Sequence, residues 1–230
     1  MKSALLFDLD GTLVDTDALH FAAFRSAFAP FGVTLTEDEY RRLIMGASNA
    51  AIGEAFLPHL PVAKREEIIA AKEAAFRDAF RGAAPTKGLA ALLDFADAKG
   101  LACAVVTNAP RANANLMLAA LGLADRLPLA VIGAELERSK PDPLPYQTAL
   151  RLTGAEAQCS VAFEDSLSGV RSAAAAGVAV VGLTTGLDAA SLIAVGATFG
   201  AADFNDRRIY DLIAQRGGQT AQGAAREEIA

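Results

Sequence analysis

The sequence predicts an α/β fold, a doubly wound parallel sheet with a small all-helical domain inserted after its first strand. From residue 87 to residue 183, apolar runs of strand length alternate with helical patterns, which is typical of a parallel sheet covered by helices on both faces. Residues 16–84 carry helical patterns alone. Apolar residues make up 53% of the 230 residues and charged residues 21%, so the chain can bury a sizeable core and is not expected to be disordered as a whole.

The first predicted elements are a strand and a helix. The apolar run Ala4–Phe7 leads into the turn sequence Asp8–Thr12 and predicts a buried strand. Thr16 is expected to cap the helix that follows, and Pro30 and Gly32 are expected to end it. The apolar face of this helix recurs at helical spacing and consists of Phe21, Phe24, Phe28 and Phe31.

Three further helices are predicted before residue 84. The capping-box sequence Thr36–Glu39 precedes a second helix that is expected to reach about residue 45. Ser48 is expected to cap a third helix that ends near Leu57, and a fourth extends from about Val62 to Phe80. The segment Gly82–Pro85 is expected to be a hinge or a linker.

The rest of the chain alternates between helix and strand. Helices are predicted at Lys87–Lys99, Arg111–Leu121, Pro143–Thr153 and Leu167–Ala176. Strands are predicted at Leu101–Thr107, Ala130–Gly133, Ser160–Phe163 and Val178–Leu183. These elements predict a core domain of residues 1–15 and 85–216, a helical insert of residues 16–84, and a small, polar tail of residues 217–230 that is expected to be disordered.

Charge, hydropathy and cysteine spacing exclude several classes of protein. The net charge is −6, so no basic surface is expected for nucleic acid. No apolar run approaches the ~20 residues of a membrane-spanning helix, and Met1–Phe7 does not resemble a secretory signal. Cys103 and Cys159 have neither metal-ligand nor redox spacing. Cys103 is expected to be a buried thiol in a reducing cytoplasm.

Two carboxylates follow the first strand. Asp8 and Asp10 stand at positions i and i+2, which project to the same side of a strand. Because like charges repel, the pair requires a cation or a shared proton. One carboxylate can then act as a nucleophile and the other as a general acid and base. The alternative is an Asp-rich surface loop, which the pattern alone does not exclude.

Polar residues also follow the next two strands. Thr107 and Asn108 end one of them and can bind an anion near a helix N-terminus, although Thr-Asn-x-Pro is also an ordinary loop sequence. Lys140 follows the other strand and can neutralise phosphate charge, although a single lysine is more often solvated.

A second acid pair ends a further strand. Glu164 and Asp165 precede a helix, and hard cations such as Mg²⁺ bind one or two carboxylates together with water and phosphate oxygens. Capping of that helix by Asp165 or Ser166 is the alternative. Because open α/β sheets bind ligands at the carboxyl ends of their strands, we expect all of these polar groups to meet at one edge.

Four segments of the sequence are similar, in order and spacing, to the four motifs of the haloacid dehalogenase superfamily. They are Phe7–Thr16, Val106–Asn108, Lys140–Pro143 and Phe163–Val170. The helical insert resembles the small α-helical cap of that superfamily, and the resemblance extends over nearly the whole chain up to the tail. It implies a Rossmann-like core and a Mg²⁺-dependent phosphatase. Such an enzyme hydrolyses a small phosphate monoester, such as a sugar phosphate, through an aspartyl-phosphate.

The resemblance also implies a role for each matching residue. Asp8 would be the nucleophile, and Asp10 would protonate the leaving alcohol and later activate water. The phosphate oxygens would be held by Thr107, Asn108 and Lys140. Mg²⁺ would be bound by the Asp8 carboxylate, the backbone carbonyl of Asp10 and Asp165, with Glu164 supporting it through water. This set would supply the alignment and charge neutralisation that phosphoryl transfer needs.

Polar residues of the helical insert are candidates for substrate contact. They are His20, Ser48, Asn49 and Lys72. His20 and Lys72 resemble insert residues of sugar-phosphate phosphatases and β-phosphoglucomutases. The alternatives are a histidine packed within a helix and a solvated lysine. Ser48 and Asn49 can hydrogen-bond a sugar hydroxyl or can instead cap the third helix.

Other functions stay open. The acid at position 10 argues against a dehalogenase, because release of halide requires no proton. A phosphomutase of the β-phosphoglucomutase type is disfavoured, since the loop Gly46–Ala50 lacks the arginine that binds a second phosphate in those enzymes. A phosphoglycolate phosphatase and a non-catalytic metabolite-binding protein are further alternatives. The sequence does not predict an oligomeric state.

Overall fold

A six-stranded parallel sheet forms the centre of the computed structural model, which describes the backbone of residues 2–227 and the side chains of residues 2–217. The strands are β1 Ala4–Phe7, β2 Ala102–Thr107, β3 Ala130–Ile132, β4 Val161–Glu164, β5 Ala179–Leu183 and β6 Phe199–Ala201. Their order is β3-β2-β1-β4-β5-β6, and every neighbouring pair is parallel. This order confirms the doubly wound topology and places the reversal of strand order beside β1.

Helices cover both faces of the sheet. They are α1 Asp17–Phe28, α2 Glu37–Glu39, α3 Asn49–Phe56, α4 Val62–Ala79, α5 Leu89–Lys99, α6 Arg111–Ala120, α7 Leu144–Thr153, α8 Leu167–Ala175, α9 Ala189–Ala194 and α10 Arg207–Glu227. On β1, Leu5 and Phe7 belong to one apolar cluster, whereas Ala4 and Leu6 belong to the other. This alternation has the period of a strand. Because both sides are buried, β1 has no polar residue.

Helices α1 to α4 pack around an apolar cluster of their own. Phe24 and Phe28 of α1 belong to it, together with Ile52 of α3 and Ile69 of α4, as the helical spacing of the phenylalanines predicts. The predicted second helix is irregular. After three residues, α2 widens into a π-helical turn at Tyr40–Ile44. The capping box predicted before α2 is present.

The elements after residue 183 have no counterpart in the prediction. They are α9, β6 and α10. Strand β6 has three residues, one of which is Gly200, so its apolar run is too short to stand out from a loop. The sequence analysis therefore assigns residues 184–216 to the core domain but predicts no helix or strand among them.

Helix α10 corrects the prediction for the tail. It continues to Glu227, so residues 217–227 are helical where the composition predicts disorder. Ile209 and Leu212 are buried near the start of α10, and no proline follows them to end the helix. Residues 228–230 of the predicted tail lie outside the described residues.

The helices and the two cysteines of the described residues bear on the predictions about membranes and thiols. No helix in the described part of the chain combines the length and the apolar character needed to cross a bilayer. Cys103 and Cys159 are free thiols. Cys159 is buried, while Cys103 is half-buried at the start of β2, where burial raises its pKa to about 12. A thiol with so high a pKa is protonated near neutral pH and is a poor nucleophile.

Candidate active site

A cavity lies between the carboxyl edge of the sheet and the helical insert. The predicted site residues that line it are Asp8, Asp10, His20, Asn49, Lys72, Thr107, Asn108, Lys140 and Asp165. Glu164 lies directly behind them and is fully buried. Ser48 does not line this cavity. Its hydroxyl accepts a hydrogen bond from the backbone N–H of Ala51, so it has the helix-capping role that the sequence left open.

Three carboxylates form a buried cluster at the sheet edge. One oxygen each of Asp8, Glu164 and Asp165 lies within 4.8 Å of the others. They converge because Asp8 follows β1, while Glu164 and Asp165 are at the end of the neighbouring strand β4. The ammonium of Lys140 lies among them. Its Nζ is 2.6 Å from Oδ1 of Asp8 and 2.5 Å from Oε1 of Glu164.

Burial and neighbouring charges set the protonation of this cluster. Burial raises the pKa of Asp8 to about 8, although Lys140 opposes the shift. Burial, together with the charges of Asp8 and Glu164, holds the pKa of Asp165 well above its usual range. Burial by itself would lower the pKa of Lys140, but the two adjacent carboxylates raise it. The lysine is therefore an ammonium at neutral pH.

The cluster fits a divalent cation. Its three carboxylates face one ammonium, so two negative charges are uncompensated when every carboxyl group is ionised. Carboxylate oxygens are the hard ligands that Mg²⁺ prefers, and buried ionised groups need an opposite charge nearby. The Asp10 side chain is not part of this cluster.

Two glycines let the carboxylates lie against the backbone. Gly11 has a φ of +74°, and a Cβ at this position would collide with the carboxylate of Asp165. A Cβ on Gly169, in the first turn of α8, would collide with the carboxylate of Glu164. Glu164 also accepts a hydrogen bond from the hydroxyl of Tyr146, at 2.5 Å. No motif of the sequence identifies Tyr146.

Asp10 faces the helical insert. Its Oδ1 accepts a hydrogen bond from Oγ1 of Thr16 at 2.5 Å and lies 3.1 Å from Nε2 of His20. Thr16 occupies the N-cap position of α1, as predicted, but its side chain makes no capping hydrogen bond. The predicted capping role is wrong, because the hydroxyl donates to the carboxylate instead. Burial by itself would raise the pKa of Asp10, but His20 and Thr16 outweigh burial and lower it.

Lys72 determines which nitrogen of His20 carries the hydrogen. The Nζ of Lys72 lies 2.8 Å from Nδ1 of His20. Burial lowers the pKa of Lys72, against the opposing charges of Glu73 and Asp10. In its ammonium form Lys72 donates and cannot accept, so Nδ1 is then the acceptor and the ring hydrogen is on Nε2, facing Asp10. Lys72 is only 2% exposed, and its Nζ lies 3.8 Å from the centre of the Phe24 ring. The alternative of a solvated lysine is therefore wrong.

The side chain of Asn108 connects the core to the helical insert. Its Nδ2 donates to the carbonyl oxygens of Gly46, at 2.9 Å, and Lys140, at 3.2 Å. Both amide hydrogens are thus engaged. The hydroxyl of Thr107 accepts a hydrogen bond from the backbone N–H of Ala109. Phosphate binding by Thr107 and Asn108 stays a prediction. For the Asn108 amide to donate to a phosphate oxygen, its hydrogen bond to the carbonyl of Gly46 or to that of Lys140 would have to break.

Further residues complete the site. Glu73 and Asn113 belong to no motif, whereas Ser168 lies within the motif segment Phe163–Val170. Glu73 contacts Lys72, Asn113 contacts Glu73, and the hydroxyl of Ser168 donates to the carbonyl of Gly46. One feature of the sequence can identify Asn113. It is a polar residue on the face of α6 that carries buried apolar residues, where an amide is uncommon.

Known proteins resemble this chain in sequence and in fold. A family model described as haloacid dehalogenase-like hydrolase matches residues 5–183. The chain is 33% identical over 210 residues to a phosphoglycolate phosphatase of Rhodospirillum rubrum, covering 86% of each protein. It is 30% identical over 180 residues to a phosphorylated carbohydrates phosphatase of Thermotoga maritima, covering 76% of this chain and 82% of that protein.

A solved structure has a similar fold. It is CbbY from Rhodobacter sphaeroides in complex with xylulose-1,5-bisphosphate, with a TM-score of 0.75 and 28% sequence identity. The alignment covers 90% of this chain and 96% of that one.

Proposed function

The chain belongs to the haloacid dehalogenase-like hydrolase family, and from this premise we propose that it hydrolyses a small phosphate monoester, specifically a sugar phosphate. The observation that carries the proposal is the buried group of Asp8, Glu164 and Asp165 around the ammonium of Lys140. It combines a nucleophilic carboxylate, a fixed positive charge and oxygen ligands for a divalent cation. Phosphoryl transfer depends on such alignment and charge neutralisation.

The proposed reaction has two half-reactions. An oxygen of Asp8 attacks the phosphorus atom, the bond to the ester oxygen breaks, and the departing alcohol takes a proton from Asp10. Water then attacks the aspartyl-phosphate while Asp10 takes a proton from it, which releases inorganic phosphate and restores both residues. Against the effect of burial, His20 and Thr16 hold the pKa of Asp10 low. They thereby favour the ionised form that accepts the proton from water.

Phosphate and cation binding are assigned to the remaining site residues in this proposal. The phosphate oxygens are held by Thr107, Asn108 and Lys140. Mg²⁺ is held by the carboxylates of Asp8 and Asp165 and the backbone carbonyl of Asp10, with Glu164 behind them. Bound there, the cation would neutralise charge on the phosphate group.

The helical insert is proposed to select the substrate. His20, Asn49 and Lys72 line the same cavity as the carboxylates, and in this proposal they contact the alcohol part of the phosphate ester. Such groups suit the hydroxyls of a sugar. The proposal of a sugar phosphate is also supported by the relative from T. maritima, whose name describes a phosphatase of phosphorylated carbohydrates.

The enzyme is further proposed to be cytoplasmic and to need neither nucleic acid nor a membrane as partner. The net charge of −6 disfavours binding to a phosphate backbone. Two free cysteines are usual in a reducing compartment.

Phosphate release tests the proposal. The purified protein is incubated with Mg²⁺ and a panel of sugar phosphates, phosphoglycolate and nucleotides. We expect release that is lost in chelator and in Asp8→Asn, but is retained in Asp94→Asn, an exposed aspartate on α5. Release by Asp8→Asn at the wild-type rate contradicts the assignment of the nucleophile. Isomerised sugar phosphate without free phosphate would instead indicate the phosphomutase alternative.

A further inference from the structure

A buried amide joins helix α6 of the core to helix α4 of the insert. The Nδ2 of Asn113 donates to Oε2 of Glu73 at 2.7 Å, and its Oδ1 accepts from Nη1 of Arg77 at 2.8 Å. Glu73 and Arg77 are four residues apart on α4, so one amide can contact both. Asn113 is 0% exposed, and a buried amide is costly without such partners.

The contacts continue from Glu73 into the cavity. Oε1 of Glu73 lies 3.2 Å from Nζ of Lys72, which lies 2.8 Å from Nδ1 of His20. Nε2 of His20 faces Oδ1 of Asp10 at 3.1 Å. Glu73 thus uses one oxygen for Asn113 and the other for Lys72. Because a carboxylate is planar and rigid, fixing one oxygen also fixes the position of the other.

We propose that Asn113 is a positioning residue, which holds Lys72 against His20 through Glu73 and so sets the hydrogen bond from His20 to Asp10. The proposal rests on the function proposed above, in which Asp10 moves protons. Asn113 belongs to the core and Glu73 to the helical insert. The alignment therefore exists only while α4 lies against α6.

The residue types argue against simple adhesion between two helices. Apolar side chains would form the same contact without removing the carboxylate of Glu73 and the amide of Asn113 from water. An amide presents a donor to Glu73 and an acceptor to Arg77. The amide of Asn113 thereby engages Oε2 of Glu73 and leaves Oε1 for Lys72. An apolar side chain could not orient the carboxylate in this way.

The histidine rings give a test that does not depend on turnover. The chain has two histidines, His20 and the exposed His59, so ¹⁵N spectra of the imidazoles can be assigned with His59→Gln. In the wild-type protein, His20 should have a hydrogen on Nε2 and an unprotonated, hydrogen-bonded Nδ1. In the Asn113→Ala variant, we expect the imidazole nitrogen resonances of His20 to shift toward those of a mixture of tautomers. The matched control is Asn115→Ala, at an exposed position of the same helix, which should leave the spectrum unchanged.

Turnover supplies a second test. Asn113→Ala should lower kcat by about 10-fold to 100-fold, as expected when the residue that orients a reacting group is lost, with a smaller change in KM. In a Lys72→Met background, the same substitution should have no further effect. A merely structural contact would cost the same factor in both backgrounds.

The outcomes separate this proposal from the proposed function. An unchanged His20 spectrum in folded Asn113→Ala overturns it, and so do equal losses of kcat in the two backgrounds. If Asn113→Ala does not fold, Glu73→Gln replaces it in both tests, because glutamine keeps a hydrogen-bonding group of the same shape. Absence of phosphate release by the wild-type protein contradicts the proposed function alone, since the histidine spectra do not depend on it.

Discussion

The ammonium of Lys140 lies 2.6 Å from the carboxylate of Asp8, although the two residues are 132 positions apart in the chain. Glu164 contacts the same ammonium at 2.5 Å. Lys140 is thus a counter-ion for the site itself as well as a candidate partner for phosphate. A phosphate or a divalent cation that enters the cavity competes for these contacts, so binding must redistribute the hydrogen bonds of Lys140.

The stability of the metal-free protein should fall as the pH rises from about 4 to about 8. Burial raises the pKa of Asp8 from 3.8 to about 8 on folding, so within this window the folded state binds more protons than the unfolded state. The free energy of unfolding then decreases with pH, by at most ~1.4 kcal/mol per pH unit for one group. Urea unfolding in the presence of a chelator at several pH values measures this dependence of the free energy of unfolding on pH.

Two comparisons make this pH prediction specific. Asp8→Asn should reduce the slope, because the amide does not titrate, while Asp165, whose pKa is also raised, still contributes. Added Mg²⁺ should stabilise the protein more at higher pH, since its ligands must be ionised. A metal-free stability that rises through the window would contradict the raised pKa.

Thr16→Val should impair turnover through Asp10. The hydroxyl of Thr16 donates to Asp10 and helps to lower its pKa. Valine has the same shape without the donor, so the pKa of Asp10 should rise and the acidic limb of the pH profile of kcat should move to higher pH. Because the pKa of Asp10 lies below its usual range, the loss of kcat should appear at acidic pH, where it should approach 10-fold for a pKa rise of about one unit, and kcat at neutral pH should change little. An unshifted profile would show that Thr16 does not act on Asp10.

Ser48→Ala should lower the stability of the protein without changing its turnover. Ser48 caps α3 and does not line the cavity. Loss of an N-cap side chain costs about 1 kcal/mol of stability, whereas kcat and KM should stay at their wild-type values. Urea unfolding and phosphate release measured on the same preparation check both parts. Lower turnover at unchanged stability would restore Ser48 as a substrate-contacting residue.

Gly46→Ala should be more harmful than Gly32→Ala. Both glycines have positive φ, +68° and +76°, so both substitutions cost about 1 kcal/mol of backbone strain. A Cβ on Gly46 would also collide with the side chain of Ser166, whereas Gly32 has open space. The additional loss should be about 1–3 kcal/mol, measured by urea unfolding.

The turnover of Gly46→Ala should also differ from that of Gly32→Ala. The carbonyl of Gly46 accepts hydrogen bonds from Asn108 and Ser168, so movement of this loop disturbs the site. We expect lower kcat in Gly46→Ala alone. Equal effects of the two substitutions would mean that the loop can move away from Ser166 without consequence.

The sheet could be predicted where its strands are long enough to have a pattern. Ala4–Phe7 and Ala179–Leu183 are continuous apolar runs that end at polar or glycine residues, and buried parallel strands need such runs. Phe199–Ala201 has only three residues, so no periodicity can identify it. Its pairing with β5 depends on contacts across the sheet that are absent from the local sequence.

The composition of the site could be predicted, but the direction of its side chains could not. Strand ends of a parallel sheet meet at one edge, which is sufficient to bring Asp8, Lys140 and Asp165 to one cavity. The i, i+2 spacing predicts that the side chain of Asp10 lies beside that of Asp8, yet the Asp10 carboxylate accepts a hydrogen bond from Thr16, at the N-cap of α1. Contacts such as Asn113 with Glu73 depend on how two distant helices pack, and no local pattern specifies that packing.

The position of β1 in the middle of the sheet has a consequence for synthesis of the chain. Phe7 pairs with Val105 on one side and with Phe163 on the other, so the ribosome must make more than 150 further residues before the second edge of β1 can be covered. At about 5–20 residues per second, this delay is ~10–30 s. The helical insert, which holds the buried residues of a separate apolar cluster, is fully synthesised within that interval. Asp8 therefore meets Glu164 and Asp165 only after more than two thirds of the protein has been translated.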